Sequence, residues 1–168
     1  MPKLVWRVKL VAELQAGGTT ETEVARIERG EEAGLADLGL RLDEAKQLTA
    51  ALQAEMVSAQ LAVVGERRRG CATCGRPLAS KGHYPATVRS LFGDVPVRVR
   101  RLLACSCQGP GGPKSFAALD LGAGPAPELA YVTAKFAALA PFGKVATLLS
   151  ELLPMGGAQN AGTVRNSV

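Results

Sequence analysis

The chain has 168 residues, 47% of them hydrophobic but only 4% aromatic, so a globular protein of small Ala/Leu/Val-packed units is expected rather than one large core. The net charge of +5 is unevenly spread: residues 1–65 hold seven Lys/Arg against ten Asp/Glu, residues 66–114 ten against two, and residues 115–168 three against three. Met1-Pro2-Lys3 leads into charged alternation rather than an apolar leader, and no uncharged apolar run reaches the roughly 18 residues of a membrane span, so a cytoplasmic, reducing setting without membrane contact is expected.

Residues 4–14 alternate, with Trp6, Val8 and Leu10 on one strand face and Arg7 and Lys9 on the other. Gly17-Gly18 supplies a turn, and Thr20 to Arg29 reads as the returning strand. The apolar face of this hairpin needs a cover, and the next element can provide it. Asp43 reads as an N-cap, and Ala45, Leu48, Leu52, Met56, Ala59 and Val63 recur at helical spacing. The stripe packs on the hairpin or, as the alternative, forms the seam of a homodimer through the 45–63 helix. Arg67-Arg68-Arg69-Gly70 closes the helix, its cations suiting the negative end of the dipole and Gly70 stopping it.

All four cysteines follow, as Cys71-Ala-Thr-Cys74-Gly75 and Cys105-Ser-Cys107. In a reducing compartment, paired cysteines at such short spacing more often hold metal than form disulfides. Tetrahedral sulfur ligation of Zn²⁺ suits the set, making Cys71, Cys74, Cys105 and Cys107 the predicted ligands. Gly75 permits the positive φ of a knuckle turn, and His83, the only histidine, competes weakly for a ligand position. A thiol–disulfide enzyme built on Cys71 and Cys74 would lack the usual βαβ surroundings and leave the second pair unexplained.

The insert between the pairs reads as a hairpin. A turn at Gly93-Asp94 would pair Phe92 with Val95 and put Val88, Ser90, Phe92, Val95, Val97 and Val99 on one apolar face. The same register sets Arg89 opposite Arg98, Arg100 opposite Thr87, and Cys105 opposite Gly82. Like charges facing each other in a ladder cost stability unless an anion lies between them. Arg89, Arg98 and Arg100 are therefore expected phosphate contacts, joined by Arg67, Arg68, Arg69 and Arg101, with solvated shielding of the sheet as the alternative use of their stems.

Residues 108–127 are rich in Gly and Pro, including Gly109 to Pro113, around one short strand at Ser115–Leu119. The tail is helical. Pro127 suits a first helical position, with Leu129, Val132, Phe136 and Leu139 on one face; Val145, Leu148, Leu149 and Leu152 face inward from a second helix. After a Met155-Gly-Gly turn, Asn160 caps a third helix, an order like that of a helix-turn-helix unit, whose last helix would enter the major groove with Thr163 and Arg165 as expected DNA contacts. The expected fold is α+β, in three parts: a hairpin plus long helix at 1–66, a four-cysteine zinc ribbon at 67–120, and helix-turn-helix-like helices at 121–168.

Taken in order, Arg41-Leu-Asp-Glu-Ala-Lys46, Cys-x-x-Cys-Gly-Arg-Pro77, Lys81-Gly-His83, Leu91-Phe-Gly93, Cys-x-Cys107, Ala126-Pro-Glu-Leu129 and Thr163-Val-Arg-Asn166 resemble the N-terminal region of ISKra-type bacterial insertion-sequence transposases, over roughly residues 20–166. The resemblance implies a zinc-binding, double-stranded-DNA-reading region for transposon ends in a bacterial, nucleoid-associated protein. In that family a DDE nuclease domain follows. Asp120, Glu128 and Glu151 are the only acids after residue 114, too few and too scattered for a two-metal nuclease. The expectation is a truncated, catalytically inactive DNA-binding fragment able to occupy transposon ends; the alternative is a zinc-ribbon interaction or dimerisation module that does not bind DNA.

Overall fold

A computed structural model describes residues 3–14, 17–109, 114–122, 124–155 and 160–166. Strand β1 (Leu4–Glu13) pairs antiparallel with β2 (Thr19–Arg29). The turn is closed by Gly17 N–H on the Leu14 carbonyl at 2.9 Å, with both Gly17 and Gly18 at positive φ. Pairing steps from Val8↔Ala25 to Lys9↔Glu23, so Val24 is an extra residue that breaks the strict alternation. Val8 and Leu10 are half-buried, but Trp6 stays exposed.

Helix α1 (Leu42–Arg67) packs along β2 and along a strand of the second sheet. Its N-cap is Arg41 rather than Asp43: Glu44, three positions on, accepts the Arg41 N–H at 3.0 Å, and Asp43 lies inside the first turn. The packed flank agrees with the predicted stripe only in part. Ala45, Leu48, Leu52 and Val63 are half-buried, but Met56 and Ala59 are exposed, and Val57, outside the stripe, is the one fully buried α1 residue among those described. A helix wedged between two hairpins buries parts of two flanks, and a single-face pattern misses the second. By length and composition alone the helical stretch Leu35–Arg67 would suffice to cross a bilayer, which is weak evidence for a span; Lys46 and Glu66 flank its apolar part and Glu55 lies within it.

The second sheet has the order β3 (Ser80–Ser90), β4 (Gly93–Leu103), β5 (Ser115–Ala117), all antiparallel. Its hairpin turn is Leu91-Phe92, not Gly93-Asp94. Ser90 pairs with Gly93, and Val88 with Val95. Ser90 Oγ donates to the Gly93 carbonyl at 2.9 Å and accepts the Phe92 N–H, while Gly93, at φ 117°, takes the left-handed position that follows such a turn. Because the turn moves back by two residues and each pairing therefore shifts by four, an even number, the apolar face survives: Val88, Ser90, Val95, Val97 and Val99 still share a side, with Val95 and Val99 buried. The opposed arginines do not survive. Arg89 lies across from Asp94, Arg98 from Pro85, and Arg100 from His83; Gly82 faces Arg101 rather than Cys105.

Helices α2 (Pro127–Ala137), α3 (Phe142–Leu152) and α4 (Ala161–Asn166) form a bundle around Val145, Ala146, Leu149 and Val164. Leu139, Leu148 and Leu152, expected inward, are exposed; Ala146, Leu153 and Met155 fill the inner side instead. Asn160 Oδ1 accepts the Thr163 N–H at 2.9 Å, the expected cap. The Gly156-Gly157 part of the expected turn, and Pro110 to Pro113, fall outside the described residues. Contacts from several elements hold this bundle to the rest. Lys46 Nζ donates to the Ser150 carbonyl at 2.7 Å and to that of Glu151 at 3.1 Å, Ala126 N–H donates to the Arg89 carbonyl, and the Pro154 carbonyl sits against Gly93.

Candidate metal centre and arginine surface

The end of α1 turns directly into the first cysteine loop. Arg68 caps the helix through its N–H on Val64, and Gly70, which was expected to stop it, instead bridges to Pro77 as an isolated strand pair. Within the loop, Cys71 N–H donates to the Arg76 carbonyl and Gly75 N–H to the Cys71 carbonyl, each at 2.8 Å. Gly75 takes φ 72°, as the knuckle turn requires. Leu78 N–H then binds the Arg69 carbonyl, so the loop closes on itself before β3 begins. Across the sheet, Leu103 N–H binds the Ala79 carbonyl, and a short 3-10 turn at Ser106–Gln108 starts from Cys105. The base of the hairpin thus brings the second pair under the first, although the register differs from the expected one.

The four sulfurs lie within 4.8 Å of one another, with Cys71 Sγ 3.5 Å from Cys107 Sγ and Cys74 Sγ 3.5 Å from Cys105 Sγ. Tetrahedral ligation at about 2.3 Å per metal–sulfur bond sets sulfurs about 3.8 Å apart, so the cluster fits one ion with small adjustments. Cys71 is buried, Cys105 half-buried, and Cys74 and Cys107 are exposed. His83 lies outside the cluster, across the ladder from Arg100.

Local dipoles prepare part of the set for ligation. N–H groups of Cys74 and Thr73 pull the Cys71 thiol down to about 6, and the Cys107 N–H lowers Cys105. For Cys74 the Arg76 N–H also pulls downward, but the neighbouring Cys105 and burial leave the net shift upward. Cys107 is raised strongly, because Cys105, Cys74 and Cys71 crowd it. Four thiols this close resist full ionisation unless a cation compensates them.

The predicted arginines run from this centre to the far tip of the hairpin, where Arg89 pairs across from Asp94. Arg67, Arg68 and Arg69 are exposed on the end of α1; Arg68 Nη1 reaches the Ala118 carbonyl at 3.4 Å, and Arg69 pairs with Glu66 at 2.9 Å. Arg89, Arg98 and Arg101 are exposed along the hairpin, Arg101 reaching Ser115 Oγ at 3.3 Å. Arg100, half-buried, approaches Glu66 at 3.9 Å. Thr163 and Arg165 lie on α4, away from the cysteines in sequence and attached to the bundle. Arg98, Arg100 and His83 also line a cleft of about 640 Å³ between α1 and β4, whose other wall includes Ala54, Glu55, Leu61 and Glu66. Glu66 was not singled out from the sequence; its place three residues before Arg69 was the available signal.

Comparison with protein-family models, curated proteins and solved structures gave no match.

Proposed function

We propose that the chain is a zinc-stapled nucleic-acid-binding module, in which the ion fixes the base of the β3–β4 hairpin and the arginines around it bind phosphate. The single observation that carries this reading is the convergence of four sulfurs from two loops within 4.8 Å, in the segment that also holds the net positive charge. Zinc is favoured because four thiolates in tetrahedral reach suit a soft-accepting ion without redox chemistry. Double-stranded DNA is favoured because Arg67 and Arg69, at the end of α1 and just past it, and Arg98, Arg100 and Arg101, on the second half of β4, lead into the two cysteine pairs of the same metal site. The motif resemblance to ISKra-type transposases makes transposon ends the preferred duplex.

The alternative, an interaction module without DNA binding, would use the exposed Met56 side of α1 or the exposed Leu35, Leu38, Leu40 and Leu42. The test is titration of zinc-loaded full chain against short labelled duplex over a salt series. The proposal predicts one zinc per chain and affinity that falls steeply with salt, by a slope near 0.9 per phosphate contact. Salt-insensitive or undetectable binding, with self-association instead, would favour the interaction module.

A further inference from the structure

Glu66 lies at the junction of the two basic elements. Its Oε1 is 2.9 Å from Arg69 Nη2, in the turn just after α1, and 3.9 Å from Arg100 Nη1 on β4. Two guanidinium groups, 31 positions apart in sequence, thus address one oxygen. That is the arrangement a non-bridging phosphate oxygen requires. The Glu66 side chain is 59% exposed, and the Arg100 contact is too long for a hydrogen bond, so the pair contributes little to stability and the carboxylate can leave cheaply. The notch opens into the cleft lined by Arg98, Arg100 and His83, which leaves room for a chain of phosphates beyond the first.

We propose that the Arg69–Arg100 notch is a phosphate-binding point, and that Glu66 fills it as an internal competitor until a nucleic-acid backbone displaces it. The inference rests on the nucleic-acid reading above and assigns to it one position and one restraint on affinity. The restraint suits a module that must not hold every polyanion it meets: binding requires both arginines to exchange the carboxylate for phosphate, and a weak anion fails to do so.

The experiment compares wild type, Glu66→Gln and Glu55→Gln as zinc-loaded full chains, by fluorescence anisotropy with a short duplex at low salt. Glu55 lines the same cleft, so its variant makes the same charge change away from the notch. Glu66→Gln is expected to tighten binding by about three- to tenfold, and Glu55→Gln by less than about twofold. In an Arg100→Gln background the gain from Glu66→Gln is expected to shrink toward unity. Equal gains from the two glutamate variants, or an undiminished gain without Arg100, would overturn the inference while leaving the nucleic-acid reading intact. If wild type and all variants fail to bind duplex while holding zinc, both readings fall together.

Discussion

Arg29 and Glu44 form a two-pronged ion pair at the start of α1, with Nη1 2.6 Å from Oε1 and Nη2 2.6 Å from Oε2. The remaining guanidinium N–H groups bind carbonyls: Nε that of Asp37 at 2.8 Å, Nη2 that of Gly39 at 2.7 Å, and Nη1 that of Glu28 at 3.2 Å. One side chain from β2 therefore ties the hairpin, the connecting loop and the helix start together. Both partners are largely covered, at 9% and 12% side-chain exposure, so the pair is more than a surface ion pair. It also gives the hairpin–helix unit its own fastening, separate from the metal.

This pair predicts acid sensitivity. Its Arg29 hydrogen bond, helped by the Arg41 N–H, lowers Glu44 from 4.5 to about 2. A depressed carboxylate stabilises the fold fully above its unfolded value and loses that contribution as the pH falls through its folded one. Thermal unfolding should therefore show stability lost between about pH 4.5 and pH 2. Glu44→Gln should flatten that part of the profile and lower Tm at neutral pH by leaving Arg29 covered without its counter-charge. An unchanged acid limb in Glu44→Gln would show that other carboxylates carry it.

Gly93 predicts a localised cost. It combines φ 117° with a Pro154 carbonyl 3.1 Å from where a Cβ would stand. Gly93→Ala should lose about 2 kcal/mol or more in urea unfolding, combining left-handed strain with a push on the bundle. Gly82→Ala, at φ 103° but with open space around it, should lose less. Equal losses would mean that the hairpin tip does not press on the C-terminal helices.

The bundle core offers a third check. Leu149 is 1% exposed and packs with Val145 and Val164. Leu149→Ala should cost about 2–5 kcal/mol. Leu148→Ala, one position away and 39% exposed, should cost much less, which chemical denaturation of the two variants would read directly.

Metal uptake should release protons. Cys74 and Cys107 are held above the ordinary thiol value of 9, so at pH 7.5 ligation must displace their protons. Titrating zinc into reduced, metal-free chain in weak buffer should acidify the solution, and Cys107→Ser should reduce the proton yield. No acidification would show that the sulfurs are not the ligands.

Some of this was legible in residue order. Cysteine spacing located the centre and Gly75 its turn, because both depend on local backbone geometry. The valine face was legible through its period of two, and it survived a misplaced turn because the shift was even. The turn itself was misread: Gly93 has the freedom a turn glycine needs, but it follows the turn, closed by the Ser90 hydroxyl, rather than starting it. That error carried the Arg89–Arg98 opposition with it. Tertiary placement was less legible. Leu139, Leu148 and Leu152 have helical spacing, yet the bundle takes its contacts from Ala146 and Leu153, and the Arg29–Glu44 clamp joins residues that only a fold brings together.

The central claim is that one ion held by Cys71, Cys74, Cys105 and Cys107 organises the basic hairpin for nucleic acid. Its most direct measurement is metal content by native mass spectrometry, alongside duplex affinity before and after chelation, on the same sample of the chain. The account predicts one zinc per chain, lost in Cys71→Ser, with chelation removing duplex binding and readdition restoring it. A chain that purifies without metal, or binds duplex equally well after chelation, would contradict it.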